Sequence, residues 1–104
     1  MKQGYKGNGG NKKIGNVTFD QEVEYPVSFE MKVIVDAKLP EAETRKQLAN
    51  VYDTTSVPHK IIHHRLSKEG KYISFTIAVT IDSKEILELL YERLKGISGM
   101  KMAI

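Results

Sequence analysis

Two long stretches of the chain alternate strictly between apolar and polar residues, and a period of two predicts β-strands. In the first stretch the apolar positions alternate with Ser28, Glu30 and Lys32; they are Val27, Phe29, Met31, Val33 and Val35. In the second, Ser74, Thr76, Ala78 and Thr80 face out, and the inward positions are Ile73, Phe75, Ile77, Val79 and Ile81. A shorter alternation predicts a last strand over 100–104, with Lys101 and Ala103 outward and an inward side formed by Met100, Met102 and Ile104.

Two other segments repeat apolar residues at helical spacing. The segment 40–52 opens with Pro40 and has a thin apolar side, formed by Ala42, Leu48, Ala49 and Tyr52. The segment that follows Asp82 has a fuller apolar side, formed by Ile86, Leu89, Leu90, Leu94 and Ile97. Asp82 followed by Glu85 is typical of a capping box, so the second helix is predicted to be capped by Asp82. Gly96 predicts its end.

A third β-rich segment, "HKIIHHRL" at 59–66, lies between the first helix and the second long strand. The residues 67–70 that follow it are typical of a hairpin turn, with Gly70 where a positive φ is needed. The element order is therefore strand, helix, strand, strand, helix, strand. This order predicts an α+β protein with a ferredoxin-like βαββαβ two-layer sandwich, in which a four-stranded antiparallel sheet carries both helices on one face.

Length and composition bound the class of protein. A chain of 104 residues makes one domain, and it contains no cysteine. It has neither a secretory signal nor an apolar run near the roughly 20 residues of a membrane span, so we expect a soluble, cytoplasmic protein without membrane contact. Residues 1–20 are predicted to be a disordered glycine- and lysine-rich tail and residues 21–104 a single domain, because the first 16 residues offer little to bury.

The net charge of +3 is a property of this tail. Residues 1–16 hold four lysines and no acidic residue, which leaves 12 basic against 13 acidic residues in the rest of the chain. The overall charge therefore gives no argument for nucleic-acid binding.

All three histidines lie in the predicted strand at 59–66. On a strand, His59 and His63 would be about 13 Å apart, and His63 and His64 would point to opposite faces. No metal site is predicted from them. His64 would share a face with Ile62 and Leu66, so it is expected to be the partly buried histidine.

The hairpin also carries a local excess of basic residues. They are Lys60, Arg65, Lys68 and Lys71, against Glu69 alone. The outward positions of the predicted strands lack the aromatic side chains on which RNA bases stack, which disfavours base recognition. A weak, salt-sensitive contact with phosphates stays open as an alternative.

No nucleophile with its base, paired carboxylates or glycine-rich phosphate loop is evident, so we predict that the protein is not an enzyme and needs no cofactor. One loop is a ligand candidate. Residues 36–40 lead into a helix N-terminus, where backbone amides favour anions. Asp36 and Lys38 of this loop, with His64, are the candidate ligand-binding residues; a plain strand-to-helix turn is the alternative.

The segments "YPVSFEMKVI", "SKEGKYISFTIAVTIDSKE" and "LLYERLKGISGMKMAI" resemble the YbeD-like family of small bacterial proteins of unknown function. The resemblance covers residues 22–104. It implies a ferredoxin-like fold and a likeness to ACT domains, which are regulatory amino-acid-binding domains that often dimerise. ACT domains favour a glycine in the loop that leaves the first strand, and this chain has none between Asp36 and Pro40.

The leading hypothesis is a non-enzymatic regulatory or adaptor module that binds a small ligand or a protein and can form a homodimer. The sheet face away from the helices is expected to mix small polar residues with apolar area from Ile34, Ala78 and Ala103. Weak nucleic-acid binding through the hairpin is the alternative function.

Overall fold

The computed structural model describes residues 13–14, 17–18 and 23–104. Two short strands, β1 (Lys13–Ile14) and β2 (Val17–Thr18), pair with each other antiparallel, apart from the main sheet. Both fall within the segment 1–20, for which a disordered tail is predicted. The remaining residues of that segment lie outside the described residues, so the disorder of the tail stays a prediction.

The domain contains four further strands and two helices. In chain order they are β3 (Val27–Asp36), α1 (Glu41–Thr54), β4 (His59–Leu66), β5 (Tyr72–Ile81), α2 (Lys84–Leu94) and β6 (Met100–Ala103). The four strands form one antiparallel sheet in the order β4-β5-β3-β6. This confirms the predicted ferredoxin-like βαββαβ sandwich.

The core lies between the sheet and the two helices. The inward residues of β3 and β5 are buried as their alternation predicts, except the half-buried Val27, and Met31, Val33, Phe75 and Ile77 have no exposed surface. The helices cover this side of the sheet with the buried residues of α1 and α2, which are Thr44, Leu48, Val51, Tyr52, Leu87, Leu90 and Leu94.

The predicted helix faces are wrong at two positions. Ala42 is exposed on α1, where Thr44 is buried instead. Leu89 is 40% exposed on α2, where Leu87 is buried. α2 packs against the core through Leu87, Leu90 and Leu94. Its buried side is therefore rotated from the predicted one, and Leu89 lies outside it.

The predicted cap of α2 is also wrong by one residue. Ser83, in extended conformation, is the N-cap, and its hydroxyl accepts a hydrogen bond of 3.2 Å from the backbone amide of Ile86. A serine oxygen at this position satisfies one of the free amides of the first turn. Gly70 does adopt a positive φ, of 75°, in the hairpin turn.

A β-bulge in each edge strand changes which side chains face the core. In β6, Met102 pairs with Ile34 but Met100 pairs with Val35, so Lys101 is the extra residue. In β4, Ile61 pairs with Ile77 but His63 pairs with Thr76, so Ile62 is the extra residue. An extra residue reverses the side-chain phase beyond it, because side chains alternate with a period of two.

The β6 bulge corrects the prediction for the last strand. Met100 and Ala103 pack against the core. Met102 and Ile104 were expected to be inward, and they are 48% and 47% exposed on the opposite face. Ala103 was expected on the face away from the helices, but it packs against the core instead.

Candidate functional site

The sheet face opposite the helices, here called the open face, is left uncovered by the part of the chain that the structure describes. Its side chains follow from the register, since paired residues share a face. They are Ser28, Glu30, Lys32, Ile34 and Asp36 on β3; Lys60, His63 and Arg65 on β4; Tyr72, Ser74, Thr76, Ala78 and Thr80 on β5; and Met102 with the following Ile104.

One edge of the open face is basic. Lys60, His63 and Arg65, here called the basic edge, all project from β4 on this side, opposite Ala78, Thr76 and Ser74. All three are exposed. Neither Lys60 nor Arg65 makes an ion pair within 4.0 Å among the described residues. The side chains of this edge are therefore available to an external anionic group.

The other edge of the open face is apolar. Ile34, Met102 and Ile104, here called the apolar corner, lie side by side on β3 and the C-terminal strand. Ile104 is held beside Lys32 by two backbone hydrogen bonds of 2.8 Å. Met102 and Ile104 each keep about half of their surface in contact with water. Burying them against a partner would favour binding, at about 25 cal/mol per Å² of apolar area.

Small residues form the middle of the open face, along β5. Ser74, Thr76 and Ala78 lie between the longer side chains of β3 and β4. Thr76 is only 6% exposed although it faces away from the helices. Its register neighbours are Lys32 and His63, whose longer side chains shield it. The open face is thus a shallow trough whose base lies along β5.

At one end of this trough the surface forms a concavity. Its lining combines the N-terminal half of β3 with the segment that enters β4, and includes Ser28, Glu30, Pro58, Lys60 and Thr80. The hydroxyls of Ser28 and Thr80 are hydrogen bonded to each other at 2.9 Å. The concavity is open to solvent, which suits a macromolecular surface better than an enclosed small molecule.

The nucleic-acid residues predicted from the sequence are split between two places. Lys60 and Arg65 lie on the open face, with His63 between them. Lys68 and Lys71 lie in the turn between β4 and β5, where Lys71 Nζ is 3.7 Å from Glu69 Oε1. The hydroxyl of Ser67 organises this turn by accepting hydrogen bonds from the amides of Lys71 and Tyr72, at 3.1 and 3.0 Å. Binding of nucleic acid by these four residues stays a prediction.

The candidate ligand residues are likewise not gathered into one site. Asp36 Oδ1 accepts a hydrogen bond of 2.9 Å from the amide of Lys38, and the Lys38 ammonium lies 3.9 Å from Asp36 Oδ2. His64 lies on β4, on the helix side of the sheet. Among the described residues, no hydrogen bond or ion pair joins Asp36 to His64. The ligand role of the three stays a prediction.

His64 belongs instead to a small polar cluster with the first turns of α1. Arg45 Nε donates to Glu41 Oε2 at 2.7 Å, and Arg45 Nη2 lies 3.0 Å from His64 Nδ1. The hydrogen bond from Arg45 holds the pKa of Glu41 below its ordinary value, with a smaller contribution from the charges of His64 and Arg45. The Arg45 guanidinium also lies 5.5 Å from the centre of the Phe75 ring. This cluster ties the beginning of α1 to the edge strand β4.

The burial of the histidines differs from the prediction. His59 is the partly buried one; its ring stacks on that of Tyr52 with 4.7 Å between the ring centres. His64 is exposed although it lies on the helix side of the sheet, at the edge strand β4. His63 and His64 do point to opposite faces. In residues 23–104, no group of three His, Asp or Glu side chains lies close enough to hold a metal ion.

Sequence reasoning missed the apolar corner and the Glu41–Arg45–His64 cluster. The spacing of four between Glu41 and Arg45 was a visible signal, because oppositely charged residues at this spacing meet on a helix. The exposure of Met102 and Ile104 had no such signal, since an alternating sequence does not reveal an inserted bulge. Within the described residues, neither helix is long and apolar enough to span a membrane.

Comparison with known proteins finds a match to one family model, "Protein of unknown function (DUF493)", over residues 20–104. A protein of Shewanella amazonensis called "UPF0250 protein" is 36% identical over 94 residues, which cover 86% of this chain and 98% of the relative. One of Shewanella frigidimarina is 38% identical over 93 residues, with the same coverage.

Two solved structures illustrate the likeness of fold. The solution structure of protein HP0495 from H. pylori matches with a TM-score of 0.64 at 17% identity, over 80% of this chain and 86% of that one. The ACT domain from the GTP pyrophosphokinase of Chlorobium tepidum matches with a TM-score of 0.58 at 10% identity, over 76% and 96%. At these identities the likeness concerns the fold, and it agrees with the ACT-like topology expected from the sequence.

Proposed function

Since the chain belongs to the family described as "Protein of unknown function (DUF493)", we propose that it is a non-enzymatic binding module with a regulatory or adaptor role. The contact surface is the open face of the sheet. The partner is a protein, which is held against the trough along β5.

One observation carries this proposal. On the helix side the exposed large apolar residues, Leu66 and Leu89, lie on different elements, β4 and α2, whereas on the open face Ile34, Met102 and Ile104 lie side by side. A grouped apolar patch rimmed by polar residues is typical of an interaction surface. The basic edge and the shallow, open shape of the face agree with a macromolecule as the partner.

The likeness to an ACT domain supports a regulatory role by analogy alone, because a shared fold does not determine function. The loop between Asp36 and Pro40 gives little support for small-ligand binding here, since the Asp36 carboxylate accepts a hydrogen bond from within the loop, from the amide of Lys38. The surface therefore favours a protein partner over an amino acid.

Weak nucleic-acid binding is the second candidate function. The placement of Lys60 and Arg65 on one face, without ion pairs among the described residues, favours it. The apolar corner and Glu30 on the same face disfavour it, because phosphates gain nothing from apolar contacts and are repelled by a carboxylate.

Site-specific photo-crosslinking in cells tests the proposal. A crosslinking residue is introduced at Ala78, which is half-buried in the middle of the open face, and in a control at Asn50, which is exposed on α1. We expect a discrete protein adduct from position 78 and none from position 50. Equal adducts from both positions, or none from position 78, would refute the proposal.

The same experiment separates the alternatives by the nature of the adduct. An adduct that nuclease treatment removes would favour the nucleic-acid function. An adduct of twice the mass of the chain would show that the open face binds a second copy, which is one form that the predicted homodimer can take.

A further inference from the structure

We propose that the occupant of the open face is an acidic amphipathic helix of a partner protein, lying along β5. This inference rests on the proposed function and adds the chemistry of the partner. It follows from three features of the open face: the width of the trough, the sign of charge on its β4 side, and the apolar corner on its β6 side.

An α-helix laid along β5 would contact both walls of the trough at once. The two walls stand on β4 and β3, which flank β5, so their backbones are about 9–10 Å apart at the usual strand spacing. An α-helix with its side chains is about 10–12 Å across. Between the walls, the positions on β5 are Ser74, Thr76 and Ala78. These small residues leave room for the helix to approach the sheet.

The β4 wall determines the charge of the helix. Lys60, His63 and Arg65 provide the side chains of this wall, and β4 places no carboxylate on the open face. The distance along the strand from Lys60 to Arg65 is roughly 13–17 Å, for four or five strand intervals. Acidic residues at i, i+4 and i+7 of a helix span about 10 Å. A row of two or three glutamates or aspartates on one flank therefore faces the basic edge.

The β6 side of the trough determines where the apolar flank of the helix lies. Ile34 is on the β3 wall, and Met102 and Ile104 lie beyond it toward the sheet edge. Apolar residues of the helix at the same i, i+4, i+7 spacing, but about a third of a turn away, would rest on this corner. The occupant therefore needs an acidic flank and an apolar flank on one helix.

A single-stranded nucleic acid fits these features less well. Its phosphates would use the basic edge and leave the apolar corner uncovered. Glu30, opposite Lys60 across Ala78 on the β3 wall, would repel phosphates and glutamates alike, so it favours neither occupant and requires the acidic flank of the helix to face the β4 wall. The bases would find two aromatic rings on the face, Tyr72 at the end of β5 and the imidazole of His63 on β4. The peptide helix uses both edges and is the better match.

The test uses two designed peptides of about 16 residues, blocked at both ends. The first has glutamates along one flank and leucines along the adjacent flank, with alanine and glutamine elsewhere; the second has lysine in place of each glutamate. Each is titrated into the full ¹⁵N-labelled chain at low and at physiological salt. We expect the glutamate peptide to shift the amide signals of Ser74, Thr76 and Ala78, and the lysine peptide to bind at least about tenfold more weakly, since the ion pairs are replaced by repulsion.

Charge variants locate the contact. In the double variant Lys60→Gln with Arg65→Gln, the affinity for the glutamate peptide should fall about fivefold, at roughly twofold or more for each exposed ion pair. The control double variant Lys46→Gln with Arg93→Gln removes two exposed charges from the helix side, where both line a groove between α1 and α2. Its affinity should be unchanged.

The outcomes distinguish the two proposals. Equal binding of both peptides, or signals that shift on the helices, would overturn the acidic helix. A single-stranded RNA oligomer that shifts the open face when the glutamate peptide does not would also overturn it. If the crosslink from position 78 forms while the glutamate peptide fails to bind, the open face remains the contact surface and only the chemistry of the occupant is wrong.

Discussion

Arg45 Nη2 lies 3.0 Å from Nδ1 of His64, and this contact determines the tautomer of the imidazole. A guanidinium can only donate hydrogen bonds, so Nδ1 must accept and carries no proton. The proton of the neutral ring is therefore on Nε2, which lies 3.6 Å from Glu41 Oε2. The three side chains form a closed cluster in which Arg45 contacts both of the others.

We predict that neutral His64 is the Nε2-protonated tautomer. The measurement is a ¹⁵N spectrum of the histidine ring nitrogens, at a mildly alkaline pH where imidazoles are neutral. Nδ1 should resonate as an unprotonated nitrogen, and the variant Arg45→Leu should show a mixture of the two tautomers. A dominant Nδ1-protonated form in the parent chain would show that the Arg45 contact is absent in solution.

Glu41 should stabilise the protein in a pH-dependent way. Its pKa is lowered in the folded chain, chiefly by the hydrogen bond from Arg45. A group with a lowered folded pKa contributes stability above its unfolded pKa and loses it as the pH falls through the folded pKa. We expect Glu41→Gln to reduce the free energy of unfolding near pH 7 and to have little effect at about pH 2, where both states are protonated.

The matched control for this comparison is Glu43→Gln, because Glu43 is acidic in the same first turn of α1. It tests the contribution of charge near the helix N-terminus while leaving the Arg45 contact intact. Urea denaturation at the two pH values gives both differences. An equal pH dependence for the two variants would mean that the Arg45 contact contributes nothing specific.

Tyr91→Phe should increase stability. The Tyr91 hydroxyl is buried and has no hydrogen-bond partner among the described residues, and burial raises the pKa of this group. An unpaired buried hydroxyl costs about 1–3 kcal/mol, so its removal should raise the free energy of unfolding by about 1 kcal/mol.

Tyr52→Phe is the comparison for this variant, because the Tyr52 hydroxyl is also buried but donates to Met31 Sδ at 3.4 Å. It should gain less stability than Tyr91→Phe or lose some. Thermal and urea unfolding of the two variants decide the order. A Tyr91→Phe variant that is less stable than the parent would reveal a partner for the hydroxyl.

Gly99 should tolerate alanine less well than Gly70. Both glycines have a positive φ, of 76° and 75° respectively, so alanine at either is strained by about 1–2 kcal/mol. At Gly99 the new Cβ would also lie 3.0 Å from Asp36 Cβ, whereas at Gly70 nothing lies within 4 Å. We expect Gly99→Ala to destabilise the chain more than Gly70→Ala in the same urea experiment. Equal losses would show that the loop before β6 moves away from Asp36 at no cost.

The sequence predicts the fold well where burial follows a simple period. The alternation of β3 and β5 and the element order were sufficient for the ferredoxin-like sandwich, and the family resemblance is confirmed by the match over residues 20–104. The hairpin turn at Gly70 was also correct, since few residues adopt a positive φ at low cost.

The predictions fail where a single inserted residue changes the phase. Met102, Ile104 and Ala103 were assigned to the wrong faces because the bulge at Lys101 depends on the pairing with β3, which is not encoded in the local pattern. Strict alternation likewise places His59 and His64 on opposite faces, whereas the bulge at Ile62 brings both to the helix side. The apolar corner of the open face was therefore invisible to an argument from alternation alone.

The central claim is that the open face binds the partner, and matched surface variants test it most directly. Met102 and Leu89 are both large apolar residues, 48% and 40% exposed, on the open face and on α2 respectively. The measurement is the dissociation constant of the partner captured through position 78, for Met102→Ser and for Leu89→Ser. We expect the Met102→Ser variant to bind at least about fivefold more weakly than the parent chain, because burial of much of a methionine side chain is worth more than 1 kcal/mol, and the Leu89→Ser variant to bind like the parent. Weakening by Leu89→Ser alone would place the binding surface on the helices and contradict the claim.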